Sequence, residues 1–241
     1  MKLILCWLFV ALGPFIALSQ TKITKFYPVK KGQTVAFQFD FPNKIKVSNW
    51  NKQEIAVLAT IETDEGVDST VFKLVQTESD GKILIKNTLD MDKIPYSFYV
   101  VENGIKKRFE TKKDMNNYLV DKSDAKRSNY QTRNIDIKIE IKVPENIQTE
   151  VKATYGVVEI QDFIGPINVE ATYGGIEAKL KQQDVGKLKM TNRFGKIYTN
   201  FTLKPNEIKE ERFYTAITAN PGQGASYDLN SSYGNIYLRN P

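Results

Sequence analysis

The segment "ATYGGIEAKL" at residues 171–180 has a near copy in "ATYGVVEI" at 153–160, with weaker ones in "NRFGKIYT" at 192–199 and "SSYGNIYL" at 231–238. Setting the aromatic residue as zero gives Tyr155, Tyr173, Phe194 and Tyr233, spaced 18, 21 and 39. The last gap is two units long, which predicts a degenerate copy at Tyr214. Three places after each aromatic stand Val158, Ile176, Ile197, Ile217 and Ile236; four before stand Val151, Val169, Met190, Glu210 and Leu229. Glu210 is the one clear departure. Apolar residues at alternate positions have the period of a strand with one buried face. Inward positions are even before the aromatic and odd after it, so something between must absorb one residue. Gly156, Gly174, Gly195 and Gly234 each follow the aromatic directly, with Thr215 in the degenerate copy, and a left-handed or bulged glycine corner is expected there. The loops to the next copy vary from six to nine residues while the registers hold, as stacked coils permit. The expectation is a short β-solenoid, a single-stranded β-helix-like stack over 144–241, with the five rings piled inside. A meander sandwich is the alternative, because this period also suits the two strands of a hairpin.

The preceding residues extend the all-β reading. Val35, Phe37, Phe39 and Phe41 form one alternating set, and Ile45 and Val47 lead through Asn49-Trp50-Asn51 to Ile55, Val57, Ala59 and Ile61. Asp80-Gly81 predicts a tight hairpin turn. Ile135, Ile137, Ile139, Ile141 and Val143 share one strand face, ended by Pro144. Residues 20–143 are therefore expected to be an antiparallel β region, carrying a charged, partly helical insertion at about 91–133. Within it, Thr111 and Asp114 have the spacing of a helix-capping pair. Residues 106–133 hold nine basic and four acidic side chains, net +5. Lys106, Lys107, Arg108, Lys112, Lys113, Lys126 and Arg127 are candidates for a surface meeting an acidic glycan or lipid headgroup, and a solvated insertion is the plainer reading.

The apolar run Leu3–Leu18 follows Lys2 and closes in Ala17-Leu18-Ser19, the pattern of a secretory signal peptide over 1–19. A retained membrane anchor is the other reading. Removing those residues takes away Lys2 and no acid, so 33 basic residues outnumber 28 acidic ones by five, and neither cysteine nor histidine is left. Thiolate nucleophiles, histidine bases, serine–histidine triads and His or Cys zinc sites are thereby excluded. Stability must come from the core rather than disulfides. No transmembrane segment follows the leader, and export argues against a nucleic-acid partner.

The segment "IKVSNWNKQEIAVLATI" at 45–61 and the Gly-x-Ile-x-apolar steps resemble exported proteins of unknown function called putative adhesins and the related autotransporter adhesin head domains. That resemblance spans roughly residues 45–238 and implies a solenoid-like stack in the cell envelope with no catalytic residue to carry over. Ser123-Asp124-Ala125-Lys126 has Ser-x-x-Lys spacing without the companion motifs of a serine acyl-enzyme, Gly222-Gln223-Gly224 reads as a loop, and Asp90 with Asp92 is too small a set for calcium. Neither metal, cofactor nor catalytic group is expected. Tyr198 and Tyr237, four places after their ring positions, are candidates for stacking on sugar. The functional expectation is an exported, non-enzymatic binding or structural module of periplasm or cell surface, with glycan or an envelope protein as partner. The alternatives are a polysaccharide-active enzyme on a β-helix and an envelope scaffold or sensor.

Overall fold

The computed structural model of the chain describes residues 20–64, 66–120 and 126–241. The apolar leader, Lys122 and all but Lys126 of the Ser-x-x-Lys segment lie outside them. Strands dominate. The first group is β1 (Gln20–Pro28), β2 (Thr34–Phe39), β3 (Lys44–Trp50), β4 (Glu54–Thr63), β5 (Phe72–Ser79) and β6 (Lys82–Leu89). The insertion supplies β7 (Ser97–Glu102), β8 (Ile105–Phe109), α1 (Lys112–Val120) and β9 (Arg127–Thr132). There follow β10 (Ile135–Pro144), β11 (Gln148–Tyr155), β12 (Val157–Gln161), β13 (Ile167–Tyr173), β14 (Ile176–Lys179), β15 (Val185–Asn192) and β16 (Ile197–Thr199). The chain closes with β17 (Pro205–Glu211), β18 (Tyr214–Ala219), β19 (Ala225–Ser231) and β20 (Ile236–Arg239).

Local chemistry accounts for the expected pieces. Asp80 and Gly81 take φ of 51° and 74° between β5 and β6, the positive pair that a two-residue hairpin turn requires. The Thr111 hydroxyl accepts from the Asp114 backbone N–H at 3.1 Å and donates to its carboxylate at 2.7 Å, closing the start of α1. Ile137, Ile139, Ile141 and Val143 are all buried along β10.

Two mixed sheets enclose one core. The eight-stranded sheet runs β1-β4-β10-β3-β12-β14-β20-β16 and the nine-stranded sheet β17-β18-β15-β19-β13-β11-β2-β6-β5. Five consecutive pairs, from β2–β3 to β19–β20, place their first strand in the nine-stranded sheet and their second in the other, so each pair wraps around the core. Parallel partners align Val151 with Val169, Val169 with Leu229 and Leu229 with Met190. On the facing sheet Val158 meets Ile176, and Ile236 meets both Ile176 and Ile197. These are the registers the sequence spacing gives, and buried Phe37, Ile45, Val151, Ile176 and Leu229 belong to a single cluster.

The architecture departs from the expected stack in three ways. The pairs do not stack in chain order, because β19–β20 inserts between β13–β14 and β15–β16. The connections β12–β13, β14–β15, β16–β17 and β18–β19 are each five residues long, so loop length does not set this order. Tyr214 is not a degenerate copy: it opens β18, which runs antiparallel to both β15 and β17, and the exposure of β17 explains why Glu210 breaks the pattern. The N-terminal region is mixed rather than antiparallel, since β2 pairs parallel with β6 and β11, and β3 with β10 and β12. Strands before and after residue 144 therefore share both sheets.

Tyr227 is 1% exposed, and its hydroxyl donates to the Phe163 carbonyl at 2.6 Å. Burial, and then the Asp184 carboxylate, push that hydroxyl up to about 12 from the usual 10.0, against a hydrogen bond from the Gly165 backbone. The raised folded value favours the protonated native state. Its contribution is complete below the unfolded pKa and is lost as pH rises from 10.0 towards about 12. Chemical-denaturant midpoints for wild type should therefore fall through that window. The Tyr227→Phe protein, although less stable at neutral pH, should show a shallower decline; equal slopes would contradict this account.

Candidate functional site: an aromatic ladder outside the sheets

The recurrent rings do line up in space, in the order Phe41, Tyr155, Tyr173, Tyr233, Phe194 and Phe213. Successive centroids lie 6.4, 5.3, 5.2, 4.9 and 5.6 Å apart; successive planes among the four central rings differ by 7–18°, and the end rings Phe41 and Phe213 tilt by 20° and 33° from theirs. At such separations near-parallel rings cannot lie side by side in one plane. They overlap like shingles, in the offset arrangement that aromatic pairs favour.

Their location corrects the sequence expectation. The four central rings are 48–56% exposed, Phe41 is 43% exposed and Phe213 55%, so the column lies on the outside. The last inward residues are Ala153, Ala171, Asn192 and Ser231, all buried two places before the aromatic. The chain turns at the aromatic itself to enter the facing sheet, and this turn swings the ring out of the inward row. Parity changes there, so the glycine has a different task.

That task is close approach. Among the four corner glycines only Gly156 has positive φ, at 79°. A Cβ on Gly156 would collide with the Pro42 carbonyl oxygen, on Gly174 with that of Gly156, on Gly234 with that of Gly174, and on Gly195 with that of Gly234. Corner backbones thus touch along a second column behind the rings. Hydrogen bonds carry the ladder through these corners, as from Tyr233 N–H to the Thr172 carbonyl at 3.0 Å and from Phe194 N–H to the Ser232 carbonyl at 2.7 Å.

Two residues that the periodicity did not single out secure the corners. The Asn192 amide donates to the Gly234 carbonyl at 2.6 Å, and its oxygen accepts from the Gly195 N–H at 2.6 Å. The Ser231 hydroxyl lies 3.0 Å from the Gly174 carbonyl and 2.9 Å from that of Gly234. Asn or Ser placed three residues before a glycine is a side-chain-to-backbone turn signal, and reading it would have found both.

Tyr198 and Tyr237 form a separate stack, with centroids 4.9 Å apart and planes within 8°. They lie on the outer face of the eight-stranded sheet beside a shallow cleft lined by Glu177, Lys179 and Arg239. The Arg239 guanidinium sits 5.1 Å from the Tyr237 centroid.

The basic insertion folds as a three-stranded sheet, β8-β7-β9, with α1 against it. Its cations are largely engaged within the molecule. Lys106 lies 3.9 Å from the Tyr99 centroid and Lys107 4.2 Å from that of Tyr118. Arg127, 6% exposed at its side chain, pairs with Glu102 at 3.0 Å and cannot belong to an open basic surface. Arg108 lies 3.8 Å from the Asp64 carboxylate, which also accepts from Ser97 at 2.5 Å, Asn134 at 2.7 Å and Tyr99 at 3.2 Å. Burial opposes the Asp64 charge, but the hydrogen bonds from Ser97 and Asn134, then Arg108 and Tyr99, outweigh it and hold the carboxyl below its usual value. Lys112, Lys113 and Lys126 are exposed.

Outward acids and bases of the large sheets pair across strands, with Lys82–Glu150 and Lys44–Glu159 at 2.6 Å, Lys189–Asp228 at 3.2 Å and Lys152–Glu170 at 3.3 Å. Among the described residues no cluster of three or more Asp, Glu, His or Cys could hold a metal ion. No helix among them is long and apolar enough to cross a membrane.

No protein-family model and no curated protein sequence matches the chain. Two solved structures are similar. One is described as a putative cell adhesion protein from Clostridium sporogenes ATCC 15579, at 11% identity and a TM-score of 0.48, covering 92% of this chain and all of that one. The other is a putative adhesin from Bacteroides fragilis NCTC 9343, at 12% identity and a TM-score of 0.29, covering 93% and 99%. Both TM-scores lie below 0.5, a likeness too distant to carry conclusions about this chain.

Proposed function

We propose that the protein is an exported, non-enzymatic, adhesin-like binding module of the cell envelope, and that the ring ladder is its contact surface for an extended glycan chain. The observation that carries this reading is six consecutive aromatic rings, each about half exposed, in one row. Apolar patches of a few hundred Å² on a soluble surface usually mark an interaction site. Six half-exposed rings amount to roughly 600 Å², at the upper end of what a monomer leaves open. A row of rings repeating about every 5 Å suits a polymer of stacked units better than a compact ligand. The solenoid-like character of the scaffold rests on the in-register parallel strands behind the ladder, which fix that repeat. The non-enzymatic part is supported by the outward carboxylates, which are matched to lysines across strands rather than gathered around one point.

The test is retention on immobilised envelope polysaccharide, comparing wild type, the Tyr173→Ser/Tyr233→Ser protein and the Tyr198→Ser/Tyr237→Ser protein, with melting temperature measured alongside. Loss of two central rings should weaken retention about tenfold or more, while the Tyr198/Tyr237 change leaves it intact. Unchanged retention in the ladder variant would sink the proposal. Depolymerised sugar in the eluate would replace it with an enzyme, and one stoichiometric protein captured from envelope extract with a scaffold.

A further inference from the structure

The nine-stranded sheet continues past the facing sheet at one end. β15 is the partner strand of β16, and β16 closes the eight-stranded sheet, yet β18 and β17 extend the other sheet by two more strands. Among the described residues no strand lies opposite this hairpin. Every residue of β17 is exposed, and Ile208, on the inward face opposite Ile217, is 55% exposed. Ile217 in turn lies beside fully buried Met190. An apolar row that begins in the core thus runs out to an open strand edge.

From this edge we infer that a second copy of the chain docks on it, β17 pairing antiparallel with β17 about a twofold axis through Ile208. The charge pattern of the strand selects this occupant and this register. With Ile208 opposite Ile208 of the second copy, Glu207 faces Lys209 of that copy, and Lys209 faces its Glu207. Both ion pairs then lie on the outward face, while the two isoleucines extend the inward row as Met190, Ile217, Ile208 and the same residues mirrored. A slip of one residue would oppose inward and outward faces of the pleat. A slip of two sets Lys209 against Lys209 or Glu207 against Glu207, and like charges directly opposite are destabilising. A self-complementary patch is what an isologous twofold contact requires. Pro205 and the irregular register beside it confine the pairing to the middle of the strand.

The experiment is sedimentation of the full chain over a concentration series reaching the millimolar range. Wild type should show reversible dimerisation. Glu207→Lys or Lys209→Glu alone makes both cross-strand pairs repulsive, and each should weaken association about tenfold or more. An equimolar mixture of the E207K and K209E proteins should recover a heterodimer, because every opposed pair is again of opposite sign. The double substitution Glu207→Lys/Lys209→Glu should likewise recover the homodimer. Glu207 and Lys209 are both exposed strand positions, so melting temperatures of the dilute proteins should agree and exclude misfolding as the cause. Wild type that stays monomeric throughout, single variants that dimerise undiminished, or a mixture that fails to associate would each overturn the proposal.

Discussion

Gly174→Val should lower the melting temperature by about 8–16 °C or prevent folding, equivalent to at least about 4 kcal/mol. Gly175→Val should cost less than half of that. The two glycines are adjacent and neither has positive φ, so conformational freedom does not separate them. Steric room does. A Cβ on Gly174 would fall inside the carbonyl oxygen of Gly156, whereas one on Gly175 would meet the Asn235 carbonyl oxygen at 2.8 Å. In the first case the obstacle is the backbone of the neighbouring corner, itself wedged against Pro42 and Asn43. Relief would mean opening the sheet, which is why the cost exceeds the few kcal/mol typical of overpacking against side chains. Gly174→Ala should already reproduce most of the loss, because the β-carbon alone makes the clash. Thermal melts of the three proteins decide the point, and equal losses at positions 174 and 175 would refute the close-approach account.

The same corner shows what the sequence could and could not convey. Strand registers were legible because alternation leaves one inward row, and Val151, Val169, Leu229 and Met190 do align as their spacing requires. The Asp80-Gly81 turn and the Thr111 cap were legible because each is a local device completed within four residues. The position of the rings was not. Alternation assigns Tyr155 to the inside only while the strand continues, and a strand that bends at that residue turns the side chain outward without changing the pattern of letters. Nor was the stacking order, since a periodic sequence fixes which residues are equivalent but not which copy neighbours which. The order here depends on the docking of β19–β20 between two earlier pairs and of the hairpin β17–β18 at the outer edge, contacts between segments far apart in the chain. Of the basic candidates, Arg127 was misplaced because its partner Glu102 lies 25 residues away on β7, a pairing that no local spacing reveals.

Asn192→Ala should cost about 1–3 kcal/mol, since it leaves the Gly195 N–H without its partner and the Gly234 carbonyl with only the shared Ser231 hydroxyl. The side chain has no exposure, and it satisfies both the Gly195 N–H and the Gly234 carbonyl. An unpaired buried polar group costs about 1–3 kcal/mol, with some relief where water reaches the half-buried glycines. Ser231→Ala makes a useful contrast, because the equivalent residues Ala153 and Ala171 already occupy that place in two other copies. Its loss should be closer to about 1 kcal/mol, a single shared hydroxyl hydrogen bond. Asn192→Asp separates hydrogen bonding from packing. The carboxylate keeps the acceptor for Gly195 but turns a negative oxygen towards the Gly234 carbonyl, so this variant should be the weakest of the three at neutral pH. It should regain stability on acidification, when a protonated carboxyl can donate to Gly234 in place of the lost amide. Denaturant midpoints measured at neutral and acidic pH would show it. If Asn192→Asp gains nothing relative to Asn192→Ala as pH falls, the amide is filling space at the corner rather than bonding its backbone together.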